Sequence, residues 1–160
     1  MSPITRRNLL RATALAPVAG ALVACGAFTG SGVPQQVIAA VNAFAGALKN
    51  AAVNLPPAVA DKVIYWVNFV QGISQQLETA DFSSAVTLFN SLLKVAPGIL
   101  AAFAAVGLAV PGPLGIAISL FEVMLPTLEV LLGITPTPSL VPHATMSFDE
   151  ALHRLQDMAR

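Results

Sequence analysis

The side chains that could do chemistry in this chain are few and far apart. Glu122 and Glu129 are two helical turns apart, ~10 Å along a helix axis, which is too far for two carboxylates to share a proton. His143 and His153 are the only histidines, and neither has further ligands at a spacing that metal sites use. The single cysteine, Cys25, cannot form an internal disulfide. We therefore predict that the protein is not an enzyme and binds no metal or cofactor.

The residues that precede Cys25 predict an export signal. Arg6, Arg7 and Arg11 lie in a short polar segment without acids, and an apolar run covers residues 12–24. As a helix, this run would reach only ~20 Å, against a hydrocarbon core of ~30 Å. It is too short to span a membrane and is typical of the middle of a signal peptide over residues 1–24.

The arginine segment resembles a known class of signal. Residues 5–11 (TRRNLLR) are similar to the twin-arginine pattern Ser/Thr-Arg-Arg-x-Phe-Leu-Lys, with Leu9 in place of Phe and Arg11 in place of Lys. Both substitutions keep the chemistry, because bulky apolar residues and a cation still follow a pair of guanidinium groups. The resemblance implies that the export receptor reads Arg6 and Arg7. The alternative is an ordinary secretory signal, which would change the export route but leave the predicted lipid anchor unchanged.

The end of the apolar run resembles the lipobox of bacterial lipoproteins. Residues 22–25 (LVAC) follow its pattern of an aliphatic residue, a small or aliphatic residue, a small residue and cysteine. The resemblance implies that the chain is cleaved between Ala24 and Cys25 and that Cys25 is acylated. Two or three acyl chains would hold the protein firmly on a membrane, whereas a single chain binds only weakly. Gly26 stands where inner-membrane lipoproteins of some bacteria carry Asp, which favours the outer membrane in a cell that has two. The alternative is that Cys25 is a small buried apolar side chain.

The remainder of the chain is apolar and weakly acidic. Hydrophobic residues make up 56% and charged residues 10% of the 160, and the mean hydropathy is +0.75. Typical soluble domains are about 25% charged, so this composition excludes disorder over most of the length. Without the three arginines of the signal, five basic residues remain against eight acids, a net charge of −3. No basic stripe remains that would bind nucleic acid or anionic lipid, and we predict no nucleic-acid partner.

The hydrophobic pattern predicts an all-α fold of five to six short helices. After a tether over residues 25–34, apolar residues recur at helical spacing over the domain 35–133. Pro57 suits the first turn of a second helix, and Asp81 suits the N-cap of a third. We expect Pro97-Gly98 to break or kink the third helix, with a fourth apolar stretch over 99–110 and a fifth helix over 114–133. Residues 134–146 form a Pro-rich linker, and Ser147 caps a last amphipathic helix, over 147–160, that docks on the bundle.

One segment of the domain allows three interpretations. Residues 95–121 contain no charged residue, and a run of this length could span a membrane. The sequence Pro-Gly-Pro at residues 111–113, however, divides the run into two parts. Ser119, Glu122 and Glu129 then share one narrow polar stripe. In the first interpretation, the segment is a central bundle helix whose polar stripe reaches water. In the second, residues 95–133 form a hairpin that enters the bilayer or oligomerises with its glutamates facing inward. In the third, the segment lines a groove for an apolar ligand or a partner helix.

These observations predict an exported, membrane-anchored helical lipoprotein of the cell envelope. We expect a structural or protein-interaction role, with membrane contact through Cys25 and either an envelope protein or a second copy as partner. The alternatives are a membrane-inserting helical hairpin and a carrier of lipid or another apolar ligand.

Overall fold

The computed structural model describes residues 32–135 and 146–160, which contain six α-helices and no strand. The prediction of an all-α fold with five to six short helices is confirmed. The signal peptide, most of the tether and most of the Pro-rich linker lie outside the described residues. The helices are α1 Gln35–Ala52, α2 Pro57–Leu77, α3 Phe82–Leu92, α4 Val95–Ala105, α5 Gly112–Leu131 and α6 Phe148–Met158.

Helices α1 and α2 form an antiparallel pair that carries much of the core. The stripe predicted for each helix is buried, because residues three and four apart share one face. Across the pair, the hydroxyl of Ser74 donates a hydrogen bond of 2.7 Å to Oδ1 of Asn42. Ser74 is 2% exposed, so this bond satisfies a polar group that would otherwise be buried without a partner. The buried stripes are Val37, Val41, Phe44 and Leu48 on α1, and Val59, Val63, Val67, Val70, Ile73 and Leu77 on α2.

Helices α3 and α4 form a broken third rod that packs on α2. Asp81 caps α3 as predicted, accepting a hydrogen bond of 2.8 Å from the backbone N–H of Ser84. The predicted break at Pro97-Gly98 is wrong: the chain turns at residues 93–94, and Pro97 lies in the first turn of α4. The first N–H groups of a helix have no partner within it, so proline is tolerated there, and α4 begins before Pro97 instead of after it.

Glycines in the left-handed region end α4 and α5. Gly107 has φ +67°, and the N–H of Leu108 donates to the carbonyl of Phe103 over 3.1 Å, as in a Schellman motif. Helix α4 therefore ends at Ala105 and not at residue 110 as predicted. Gly133, with φ +66°, ends α5 in the same way.

Helix α6 docks on the bundle, as predicted, against α1 and α5. Its cap is the hydroxyl of Ser147, which accepts from the N–H of Glu150 over 3.3 Å. At the other end, Nδ2 of Asn50 in α1 donates to the carbonyl of Met158 over 2.9 Å. Leu155 and Ala151 are fully buried, so α6 closes a side of the core.

The up-and-down topology gives the bundle two distinct ends. Residues of the α1–α2 loop and the start of α5 line one groove with Met158, so the chain reversals at 53–56 and 106–111 lie at the same end. We call this the distal end. At the opposite end, the tether end, the chain enters α1, and the 78–81 loop joins α2 to α3. There a Cβ built on Gly133 would lie 3.2 Å from the ring of Phe82, so α5 ends beside the start of α3.

Candidate functional site

The residues predicted for export and anchoring precede the folded domain. Arg6, Arg7, Ala24 and Cys25 lie outside the described residues. Val33, eight residues after Cys25, is only 6% exposed and is the first core residue that the structure describes. A lipid on Cys25 would therefore hold the bundle close to a membrane.

The predicted polar stripe of α5 divides into an exposed and a buried part. Ser119 and Glu122 are exposed, whereas Glu129 is only 6% exposed. Pro126 lies between them inside the helix and removes the hydrogen bond that the carbonyl of Glu122 would accept. That carbonyl belongs to an exposed residue, where water can replace the missing donor. The stripe thus reaches water near the middle of α5 and turns into the protein near its end.

No cluster of side chains that could bind a metal ion occurs in the part of the chain that the structure describes. These residues include no group of three His, Cys, Asp or Glu side chains that could hold a metal ion. Nδ1 of His153 lies 3.1 Å from Oδ2 of Asp157 on the exposed side of α6, and His143 lies outside the described ranges.

Two stretches of the described chain are long and apolar enough to cross a membrane. They are Phe82–Ala105, which includes the turn between α3 and α4, and Gly112–Leu131. Core helices of soluble bundles also pass this test. In this fold Leu114, Phe121 and Leu128 of α5 lie in the protein core, and each is at most 2% exposed. Insertion as a hairpin would require the bundle to open.

The distal end has an exposed surface without charge. The loop over 106–111 and the loop over 53–56 contain no ionisable residue. Val53 is 75% exposed, Val106 and Leu108 are each 40% exposed, and Ile116 in the first turns of α5 is 54% exposed. Exposed apolar residues that cluster in this way mark interaction surfaces more often than isolated ones do.

Charges are distributed unequally between the two ends. Glu78, Asp81, Asp149 and Glu150 are exposed at or towards the tether end, and Arg154 forms an ion pair of 2.8 Å with Glu150. At the distal end, Lys49 lies in the last turn of α1, Asp61 and Lys62 lie side by side in the second turn of α2, and Asp157 lies 3.8 Å from Arg160. Sequence reasoning missed these two lysines, because they are 13 residues apart and only the antiparallel turn brings them to one end.

A groove of about 450 Å³ runs between α1 and α2 near the distal end. Its walls include Val53, Ile64 and Val67, and Lys49 and Asn68 supply polar groups. The volume lies within the range of ligand pockets, ~300–1,000 Å³, and the lining would suit an apolar chain with a polar head.

No family model, curated protein or solved structure matches this chain. A function must therefore be argued from the residues themselves and from where the fold places them.

Proposed function

We propose that the protein is an exported lipoprotein whose helical domain is held at the cell envelope by an acylated Cys25. The observation that carries the proposal is the spacing between this thiol and the folded domain. A lipobox-like sequence ends at Cys25, and the first core residue that the structure describes is Val33. Cleavage before Cys25 would remove none of the core residues that the structure describes.

The role of the domain is structural or interactive. The described residues hold no cluster that could bind a metal ion, and the distal end carries an exposed apolar surface. An envelope protein or a second copy of the chain is the expected partner, and the membrane is the expected site.

Mass analysis of the protein extracted from its own membranes tests this proposal. We expect a product that begins at Cys25 and carries two or three acyl chains. Cys25→Ser should abolish that modification, and the variant should wash off membranes in carbonate. An unmodified chain of full length in the cytosol would overturn the proposal.

The same carbonate wash tests the membrane-inserting alternative, which the two apolar stretches favour. A hairpin over residues 95–133 that enters the bilayer would keep the Cys25→Ser protein bound after the wash. Native mass spectrometry of the washed protein tests the carrier alternative, for which the groove between α1 and α2 is the site. A lipid that co-purifies in defined stoichiometry would support a carrier.

A further inference from the structure

A second groove, of about 420 Å³, lies between α2 and α4 and is open to solvent. Small residues of α4 form one wall, and charged and aromatic residues of α2 form the other. The α4 wall consists of Gly98, Ala101, Ala102 and Ala105, and the α2 wall consists of Asp61, Lys62, Tyr65 and Trp66.

Tyr65 projects from the rim of this groove. It is 62% exposed, and its ring meets Trp66 edge-on at a centroid distance of 5.3 Å. Exposed tyrosines of this kind are enriched at protein interfaces, where the ring buries a large area at a small cost in conformational entropy. The facing wall of α4 has no side chain larger than a methyl group. The surface therefore carries both a projecting ring and a recess with room for one.

The charges of the groove are self-complementary. Asp61 and Lys62 are both exposed, and no ion pair within the described residues involves either of them. A surface of a single sign, such as an anionic bilayer, would be repelled by one of the two as much as it is attracted by the other. Because the two residues are adjacent, they lie at one level along α2. A twofold axis at that level brings Lys62 of each copy to Asp61 of the other.

We infer that the groove between α2 and α4 is the contact surface of a homodimer whose twofold axis runs parallel to these helices. Lys62 of each copy faces Asp61 of the other, and Tyr65 of each copy packs on Ala101 and Ala105 of the other. The inference rests on the proposed interaction role and names a second copy as the partner. A different protein would have to supply a ring, a recess and both charges of its own, whereas a second copy brings all of them.

Helix α4 can be covered by a partner at little cost in desolvation. It contains no charged residue, and its outer side exposes Leu100 (43%), Ala101 and Ala104. Its main packing partner within the described residues is α2, so its outer side is left uncovered. Apolar surface of this kind stabilises a contact when it is removed from water, and no charge of α4 would be buried without a partner.

The direction of the axis agrees with the proposed anchor. Helices α2 and α4 are antiparallel, and an axis along the groove places α2 of one copy against α4 of the other at the same level. Both copies then point the same way, and both tethers leave from the same end. Two chains that are anchored through Cys25 in one membrane could therefore form this dimer.

Charge reversal tests the twofold contact on the acylated protein. Sedimentation equilibrium in a density-matched detergent should give twice the mass of one chain. Lys62→Asp places four carboxylates around the axis, and Asp61→Lys places four cations there, so each should weaken the dimer at least about tenfold. Asp61→Lys combined with Lys62→Asp restores two opposite pairs and should return the dissociation constant close to that of the parent. Lys49→Asp, at an exposed lysine outside this groove, is the matched control and should change nothing.

Three further variants test the packing of Tyr65. Tyr65→Ala should weaken the dimer by roughly tenfold, whereas Tyr65→Phe keeps the ring and should preserve it. Ala101→Leu fills the recess and should also weaken the dimer. Positions 61, 62, 65 and 101 are all exposed, so the variants should keep the folded bundle, which circular dichroism checks.

Distances between spin labels test the direction of the axis. Val53→Cys introduces a thiol at the distal end and Thr79→Cys one at the tether end, and both positions are exposed. Two labels at position 79 should lie closer together across the dimer than a label at 79 in one copy and a label at 53 in the other. The reverse order would show an antiparallel pair and would overturn the proposed axis.

The outcomes separate this inference from the proposed function. A parent protein that stays monomeric, a dimer that is insensitive to Lys62→Asp, or a double reversal that fails to restore association would each overturn the homodimer while the lipid anchor stands. Mass analysis of the same samples reports the anchor independently. An unmodified Cys25 would contradict the proposed anchor, and a charge-dependent dimer of that chain would still support the contact between α2 and α4.

Discussion

Gly98 of α4 lies flat against the indole ring of Trp66 in α2. A Cβ built on Gly98 would overlap the six-membered ring of Trp66. The ring cannot easily move away, because it meets Tyr65 and Phe69 edge-on at centroid distances of 5.3 and 5.5 Å. The absence of a side chain at Gly98 therefore sets how closely α4 approaches α2.

This relationship predicts opposite effects for two glycine substitutions. Gly98→Ala should destabilise the protein by ~1–3 kcal/mol, because overpacking outweighs the better helix propensity of alanine. Gly72→Ala, in α2 with no atom within 4 Å of the new Cβ, should stabilise it by ~0.5–1 kcal/mol. Urea unfolding of both variants measures the difference. A stabilising effect at position 98 would show that α4 does not pack on Trp66.

The cap of α3 predicts a loss of stability in acid. Two hydrogen bonds lower the pKa of Asp81 below its usual 3.8. The larger effect comes from the backbone N–H of Ser84 and the smaller one from the Ser84 side chain. Because the folded state binds this proton less readily than the unfolded state, the stabilisation is present above about pH 3.8 and is lost as the pH falls through the lower folded pKa.

Thermal unfolding between pH 6 and pH 2 measures this effect. Asp81→Asn is the matched control, since asparagine keeps an acceptor for the Ser84 N–H and has no carboxyl to titrate. Its melting temperature should fall less steeply below pH 4 than that of the parent protein. Parallel curves for the two proteins would show that Asp81 is protonated equally in the folded and unfolded states.

The helices were predictable from sequence where local chemistry decides the structure. The stripes of α1 and α2, the Asp81 cap and the Ser147 cap all follow from spacing and residue type. The start of α4 was placed wrongly because Pro97 marks a boundary without saying on which side the helix lies. Its end was missed because Gly107 was not recognised as a left-handed cap.

The candidate surface was harder to predict because it depends on tertiary structure. The sequence showed the uncharged run over 95–121, but not that its loop lies beside the 53–56 loop. It showed five scattered basic residues, and only the antiparallel packing of α1 and α2 brings Lys49 and Lys62 to one end. The sequence likewise did not show that α3 begins beside the end of α5.

The proposed export route predicts a sharp effect of a conservative change. Arg6→Lys with Arg7→Lys keeps the charge but removes the paired guanidinium forks, so the precursor should accumulate inside the cell. Arg11→Lys is the control, because the twin-arginine pattern itself carries Lys there, and its export should be normal. Immunoblotting of cell fractions separates precursor from processed protein. Normal processing of the Arg6/Arg7 double variant would indicate an ordinary secretory route.

The packing of α5 predicts the outcome of two apolar truncations on that helix. Phe121 stacks on Phe44 of α1 with ring centroids 4.1 Å apart and an interplanar angle of 8°, and both rings are buried. Phe121→Ala should therefore cost ~3–5 kcal/mol, whereas Ile116→Ala, at a position 54% exposed, should change stability by less than ~0.5 kcal/mol.

Thermal unfolding of the acylated protein, followed by circular dichroism, measures both truncations. The Phe121→Ala protein should melt at least ~6 °C lower than the parent. If α5 lay in the bilayer, neither ring would hold α1 and α5 together, and the two truncations would have similar small effects. A large loss confined to Phe121 would therefore favour a bundle that stays closed beside the membrane.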